Sequence, residues 1–180
     1  MKKTPTIFKR NPDNMSEVIQ EAHPECDWVF AGEGVATRKY DGTCCLIESG
    51  KLYKRREVKK GKPKPDNFVL ADYDEVTGKT VGWVPVDFAV NENKWYQEAF
   101  KEGMPDGTYE LLGPKIQGNP EGFERHVLFK HSDAEQYADA PRTFNELKAW
   151  LQHQNIEGLV FHHPDGRMAK IKKRDFGQTR

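Results

Sequence analysis

The run KYDGT at residues 39–43 joins a lysine, an aspartate and a glycine just before a strand-like segment. A lysine amine attacks an electrophile only when it is neutral, and burial or neighbouring cations favour the neutral form. Arg38 adjoins Lys39, and basic segments further along the chain supply more cations. Gly42 has no side chain, which gives a ligand room to approach the backbone. We therefore interpret Lys39 as a candidate nucleophile, although a K-x-D-G tetrapeptide by itself is also typical of an ordinary turn.

Further charged residues, both basic and acidic, follow this lysine along the chain. Arg55, Glu110 and Glu157 all stand in or beside strand-like segments. Lys170 and Lys172 are two residues apart, so the strand period places both ammonium groups on one face. Two such lysines in a pocket that also holds carboxylates suit a triphosphate with its divalent cation. The residue types therefore predict phosphate chemistry.

The elements that must position these residues predict an α+β fold of antiparallel β-sheets with flanking helices. We predict one hairpin that joins 43–48 to 51–58, another that joins 156–162 to 167–173, and further strands at 81–90 and 108–112. Helices are predicted at about 16–23 and 94–102, and a capping box predicts that a third helix begins at Thr143. The length of 180 residues predicts a single domain over 1–180.

The register of the last hairpin decides which charges meet. If His163 belongs to its turn, Glu157 lies opposite Lys172. A turn one residue shorter places Glu157 on the other face of the sheet. The alternative interpretation is an exposed hairpin with a weak cross-strand ion pair.

Composition excludes several classes of protein. The net charge is zero, with 28 basic and 28 acidic residues, so overall basicity does not explain nucleic-acid binding. No apolar stretch is long enough for a membrane span or a signal peptide, which predicts no membrane partner. Three cysteines without metal-ligand spacing indicate reduced thiols and a cytoplasmic location.

The basic residues are nevertheless clustered. Residues 51–64 contain eight Lys or Arg and one acid, and residues 167–180 contain six and one acid. Each run is consistent with a solvated surface, but two runs that converge would bind a phosphate backbone. We predict that affinity for such a polyanion falls as the salt concentration rises.

Five ordered segments resemble the signature elements of the covalent nucleotidyltransferases, the superfamily of ATP-dependent polynucleotide ligases and mRNA capping enzymes. They are KYDGT (39–43), LYKRRE (52–57), DGTYELLG (106–113), EGLVFH (157–162) and AKIK (169–172). With KYDGTCC, GWVPV at 82–86 and ELLGPKIQGNPEG at 110–122, the chain is most similar to the small ATP-dependent 5′–3′ RNA ligases, whose representatives include a vertebrate RNA-repair ligase. The chain departs from that group at Gln117, where an asparagine is expected, and at Glu121, where an aromatic is expected.

The resemblance implies a role for each matched residue. Lys39 would attack the α-phosphorus of ATP and hold AMP, Arg55 and Glu110 would contact the ribose, and Glu157 would engage the ribose or hydrated magnesium. Lys170 and Lys172 would bind the α-phosphate and stabilise its transition state, and Asp41 would position the metal-bound water or the lysine. Glu110 and Glu157 would be the metal ligands, with Mg²⁺ as the cation and Mn²⁺ as a substitute. The third element is usually followed by an aromatic that stacks on adenine, which makes Phe129 or His126 the candidate purine platform.

The resemblance also implies an adenylyltransferase (ATP-grasp-like) core without a C-terminal OB domain, since the chain ends eight residues after Lys172. The implied function is a monomeric ATP-dependent RNA ligase for RNA repair, which joins 5′-phosphate and 3′-hydroxyl RNA ends through lysyl-AMP and an adenylylated 5′ end. The alternatives are a minimal ATP-dependent DNA ligase and a non-catalytic RNA-end-binding domain. His162 and His163 have no third ligand nearby in sequence, and Cys44 and Cys45 are expected to be small side chains under the nucleotide rather than redox groups.

Overall fold

A computed structural model describes all 180 residues. The chain divides into two compact units, each with its own sheets. Unit 1 comprises residues 1–3 and 41–133, and unit 2 comprises residues 4–40 and 134–180. The expectation of one domain over 1–180 stays a prediction. No helix of the chain has the length and apolar character needed to cross a membrane.

Antiparallel sheets and short helices make this an α+β protein, as the sequence predicted. The strands are β1 (Phe8–Asn11), β2 (Asn14–Ala22), β3 (Val35–Lys39), β4 (Thr43–Glu48), β5 (Lys51–Val58), β6 (Val69–Asp74), β7 (Lys79–Pro85), β8 (Gly107–Leu112), β9 (Val127–Lys130), β10 (Gly158–His162) and β11 (Met168–Lys172). The α-helices are α1 (Asp27–Phe30), α2 (Lys94–Ala99) and α3 (Phe144–Gln152), and 3₁₀ turns span Pro24–Cys26, Asn91–Asn93, His131–Asp133 and Lys173–Phe176.

Unit 1 is built on a six-stranded antiparallel sheet in the order β6-β7-β5-β4-β8-β9. Alternate residues of its central strands are apolar, so one face is buried against neighbouring elements such as α2. The core residues are Cys45, Ile47, Leu52, Ala99, Tyr109, Leu111 and Leu128. The opposite face of β4 and β8 is therefore available for polar residues.

Unit 2 contains the hairpin β1-β2 and a three-stranded antiparallel sheet in the order β11-β10-β3. The β11 sequence MAKIK alternates partly and fully buried residues, which directs Ala169 and Ile171 into the core. Helix α3 contributes Leu147 and Leu151 to the same core, as its apolar spacing predicted. The sheet thus has one apolar face and one face that carries lysines.

The predicted helix at 16–23 is wrong, because Asn14–Ala22 forms strand β2. The segment contains helix-forming residues, but it pairs with β1, with Phe8 opposite Ala22 and Arg10 opposite Val18. Tertiary pairing overrides weak local propensity in such segments. Helix α3 does begin after Thr143, although the Thr143 hydroxyl donates to the Glu146 carboxylate (2.5 Å) instead of completing a capping box.

Candidate functional site

Three residues lie side by side across the sheet of unit 2. Gly158 of β10 pairs with Lys39 of β3 on one side and with Lys172 of β11 on the other. Paired residues of antiparallel strands project from the same face, so the two lysines share a face with only the glycine between them. A Cβ atom on Gly158 would lie 2.1 Å from the carbonyl oxygen of Ile171. The close approach of β11 therefore requires glycine here.

Glu157 connects the two lysines. Its Oε2 atom lies 2.6 Å from Lys39 Nζ, and its Oε1 atom lies 3.1 Å from Lys172 Nζ. The three side chains are 14–20% exposed, which limits screening of their charges by water. Of the two registers that the sequence left open, the structure has the one with the shorter turn, because Lys172 pairs with Gly158 rather than with Glu157. Glu157 still reaches both amines because it lies immediately before β10.

The charge of Glu157 follows from this arrangement. Burial on its own would raise the pKa of the Glu157 carboxyl, but the ammonium groups of Lys39 and Lys172 and their hydrogen bonds outweigh burial. The pKa of Glu157 therefore lies below its ordinary value, and the group is ionised at neutral pH.

The position of Lys172 is anchored by a buried acid. Its backbone N–H donates to Asp175 Oδ2 (2.8 Å), and Arg10 donates from its guanidinium to Asp175 Oδ1 (2.7 Å). Asp175 is only 1% exposed, so the pair fixes the end of β11 relative to the first hairpin. Lys170 pairs with Val160 and shares the face of Lys172, as the strand period predicted.

Unit 1 aligns the other predicted residues in a second row. Glu110 of β8 pairs with Cys44 of β4 and with Phe129 of β9. The β4–β5 register, continued by one pair beyond Cys45 and Lys54, places Arg55 opposite Cys44. Arg55, Cys44, Glu110 and Phe129 therefore project from the face opposite the unit 1 core. The Arg55 guanidinium lies 5.3 Å from the centre of the Trp83 ring and donates to the Met1 carbonyl (2.7 Å).

His131 lies beside these residues, and the sequence analysis did not identify it as a site residue. Its Nε2 atom lies 2.8 Å from Glu110 Oε2, and its Nδ1 atom lies 2.9 Å from Thr108 Oγ1. Phe129 pairs with Glu110, so a residue two positions later falls beside Thr108 by the same period. The position of His131 can therefore be predicted only when the register of β8 and β9 is known.

The backbone that follows Lys39 is held by the loop 113–125. Glu121 accepts a hydrogen bond from the Asp41 N–H through Oε1 (3.0 Å). Asn119 closes the loop by bonding both the N–H and the carbonyl of Phe123. The carboxylate at 121 thus has a backbone-binding role in place of the aromatic that the resemblance led us to expect.

Gly42 is explained by packing rather than by ligand access. A Cβ atom there would lie 2.3 Å from the carbonyl oxygen of Leu111 and 2.9 Å from Glu110 Cγ. The expectation of open space for a ligand at Gly42 is therefore wrong. Glycine lets the turn press against β8, directly beside Glu110.

The two candidate purine platforms differ in accessibility. His126 is 6% exposed, stacks on Trp95 (4.4 Å between ring centres) and contacts Glu98 through Nδ1 (2.9 Å). Lys115 donates its backbone N–H to the remaining ring nitrogen of His126. The His126 ring is thus committed to packing, whereas Phe129 is partly exposed in the row with Glu110.

The basic run 51–64 is mostly exposed. Lys51, Lys59, Lys60, Lys62 and Lys64 are all solvent-accessible. Lys54 is different, since it donates to the side chain of Asn93 (2.8 Å). The exposed members retain the freedom to contact a phosphate backbone.

Comparison with known proteins finds distant relatives. The proteins named RNA ligase 1 from Danio rerio, Rattus norvegicus and Mus musculus are 22%, 26% and 25% identical to this chain. Each match covers 79% of this chain and 67% of the relative. No model of a known protein family matches the chain. The similarity confirms the distant RNA-ligase relationship that the ordered segments predicted.

Proposed function

We propose that this chain is an ATP-dependent RNA ligase that works through an adenylylated lysine. The observation that carries the proposal is the Glu157 bridge between Lys39 and Lys172 on one face of a sheet. The distant relationship to RNA ligase 1 proteins supports the choice of reaction and of RNA as substrate. The adenylyltransferase core remains part of this proposal.

Lys39 is the nucleophile in the proposed reaction. Its amine attacks the α-phosphorus of ATP, a P–N bond forms, and the P–O bond to pyrophosphate breaks. The amine must lose a proton to attack, and Glu157 is the carboxylate hydrogen-bonded to it. Lys170 and Lys172 supply positive charge where negative charge develops on the phosphate. AMP then passes to an RNA 5′-phosphate, and a 3′-hydroxyl displaces it.

The unit 1 row suits the nucleoside part of ATP. Arg55 donates hydrogen bonds and the Glu110 carboxylate accepts them, which matches ribose hydroxyls that do both. Phe129 offers the ring for stacking on adenine, since the His126 ring is already stacked on Trp95. Glu121 positions Asp41 by holding its backbone N–H.

The acids of the site fit Mg²⁺ mainly through water. Both Glu157 oxygens already accept from lysines, and Glu110 is paired with His131, but each carboxylate oxygen has a second lone pair for a metal-bound water. Mg²⁺ keeps several waters and binds ATP phosphates, so Glu110 in unit 1 and Glu157 in unit 2 would each bind such an ion in this indirect way. When bound, the ion neutralises phosphate charge during the transfer.

The decisive experiment is the intact mass of the protein after incubation with ATP and Mg²⁺. We expect a gain of one adenylate in the parent protein and none in Lys39→Ala. Lys39→Arg is the matched control for folding, because it keeps a cation beside Glu157 while removing the amine. Absence of any adduct on the folded parent protein would contradict the proposal, as would an adduct formed from GTP alone.

Nicked RNA and nicked DNA then separate the remaining functions. Sealing of RNA by the adenylylated protein supports an RNA ligase, whereas exclusive sealing of DNA indicates a minimal DNA ligase. RNA binding that persists in Lys39→Ala, without adduct formation on the parent, indicates a non-catalytic RNA-end-binding domain.

A further inference from the structure

Three metal-binding donors of different chemistry meet on unit 1. The Cys44 Sγ atom, a carboxylate oxygen of Glu110 and a ring nitrogen of His131 all lie within 4.8 Å of one another. The β4–β8 register causes this, because it sets Cys44 directly opposite Glu110. Glu110 is buried and His131 and Cys44 are partly buried, so the cluster is partly shielded from water.

Thr108 orients the imidazole for such a role. Its hydroxyl lies 2.9 Å from His131 Nδ1, and His131 Nε2 faces the Glu110 carboxylate at 2.8 Å. In the tautomer whose Nδ1–H donates to Thr108, the Nε2 lone pair of His131 faces a carboxylate oxygen of Glu110. A divalent cation can bind both of these acceptors, since metal-bound histidines commonly donate their other N–H to an oxygen atom.

The donor set selects the kind of metal. Thiolate, imidazole and carboxylate together are typical of Zn²⁺, whereas Mg²⁺ prefers oxygen ligands throughout. Zinc bond lengths place tetrahedral donors about 3.3–3.6 Å apart, so small side-chain rotations from the present separations complete the geometry. Three protein ligands leave a fourth position for water or substrate.

We propose that Cys44, Glu110 and His131 bind Zn²⁺, and that bound zinc withdraws Glu110 from ATP. The second half rests on the proposed function, because it assumes that Glu110 contacts the ribose. Zinc is then an inhibitor of nucleotide binding. Its site shares Glu110 with the proposed magnesium site but adds a thiolate and an imidazole, which Mg²⁺ does not prefer as ligands. Cells with more available zinc would contain less of the adenylylated form.

Co²⁺ is the probe for the metal site, because a Co²⁺–thiolate bond gives a near-ultraviolet charge-transfer band and tetrahedral Co²⁺ gives strong visible bands. We expect both in the parent protein, with displacement by one equivalent of Zn²⁺ and no displacement by Mg²⁺. Cys44→Ser should abolish the charge-transfer band, and His131→Gln should weaken zinc binding at least tenfold. Thr108→Val, which keeps the side-chain shape, should weaken it about tenfold through the imidazole.

His153→Gln is the control, because this exposed histidine lies outside the cluster. A charge-transfer band that survives Cys44→Ser, or zinc affinity unchanged in both His131→Gln and Thr108→Val, overturns the site. These variants change different elements, so the failure of one to fold leaves the others as tests.

Nucleotide titrations separate this inference from the proposed function. With ATP and Mg²⁺ present, we expect Zn²⁺ to weaken ATP binding in the parent and not in Cys44→Ser. If the protein gives the expected cobalt spectra but never forms an adenylate adduct, the metal site is supported and the proposed ligase function is rejected. If the adduct forms but no cobalt–thiolate band appears, the proposed ligase function is supported and the metal site is rejected.

Discussion

Lys39 Nζ lies 2.6 Å from Glu157 Oε2, a contact between residues 118 positions apart in sequence. The sequence led us to expect cations around the candidate nucleophile, and the structure adds a carboxylate as its direct partner. The contact fixes the amine beside the sheet instead of leaving it in solvent. It also provides a group to which the proton of the amine can move before attack.

Glu157→Gln tests this contact. The amide keeps the size of the side chain but removes the charge shared by Lys39 and Lys172, so two ammonium groups face each other without a counterion. We expect adenylylation to slow about 100-fold, in the range typical for losing one electrostatic contact at a reacting centre. The rate is measured by intact mass over time. Glu25→Gln, at an exposed site, is the control, and an unchanged rate in Glu157→Gln would falsify the role of the bridge.

The same residue predicts how stability depends on pH. The pKa of Glu157 is lowered in the folded protein, so its stabilising effect is complete above the ordinary glutamate pKa. The effect is lost as the pH falls through the lowered folded pKa. We therefore expect the difference in unfolding free energy between the parent and Glu157→Gln to shrink on acidification. Urea unfolding from neutral pH to about pH 3 measures it, and a difference that grows towards acid contradicts the assignment.

Gly158→Ala tests the pairing of Gly158 with Lys39 and with Lys172 across the sheet of unit 2. The added methyl group would meet the Ile171 carbonyl oxygen at 2.1 Å, so β10 and β11 must separate. We expect a loss of about 1–3 kcal/mol in stability, together with slower adenylylation of the protein that remains folded. Gly50→Ala is the matched control, because its positive φ of 71° costs about 1–2 kcal/mol in the β4–β5 turn with no steric clash. Equal adenylylation rates in the two folded variants would contradict a role for the alignment of Lys39, Gly158 and Lys172.

Glu121 is expected to act by position rather than by charge. Glu121→Gln retains an oxygen that accepts the Asp41 N–H, whereas Glu121→Ala leaves that N–H without its partner. We expect adenylylation about tenfold slower in the alanine variant and near the parent rate in the glutamine variant, with ATP affinity little changed. Glu124→Ala, an exposed acid in the same loop, is the control. Equal loss in the alanine and glutamine variants would show that charge, not the hydrogen bond, matters.

The exposed lysines of 51–64 are expected to contact RNA phosphates. Each phosphate contact contributes about 0.7–0.9 to the slope of log K against log salt concentration. Replacing Lys59, Lys60, Lys62 and Lys64 with alanine should therefore reduce that slope by up to about 3.6 and weaken binding at low salt. Fluorescence anisotropy with a 5′-phosphorylated RNA measures it. A slope identical to that of the parent protein removes these lysines from the RNA interface.

The sequence by itself determined which residues share a face and which segments form compact local structures. The hairpin β4–β5, the strand β8, the helix α3 and the common face of Lys170 and Lys172 were all predictable. These features depend on periods of two or 3.6 residues and on nearby turn residues, which a short stretch of sequence contains. The ordered segments by themselves also indicated the relationship to RNA ligases.

Tertiary structure alone decided which of these faces meet. It paired Asn14–Ala22 as a strand despite a helical pattern, and it decided between the two possible registers of β10 and β11 by pairing Gly158 with Lys172. It brought His131 to Glu110 and Glu121 to Asp41. Such contacts depend on strand register and loop closure over long separations, where a shift of one residue turns a side chain to the opposite face and no local pattern records the choice.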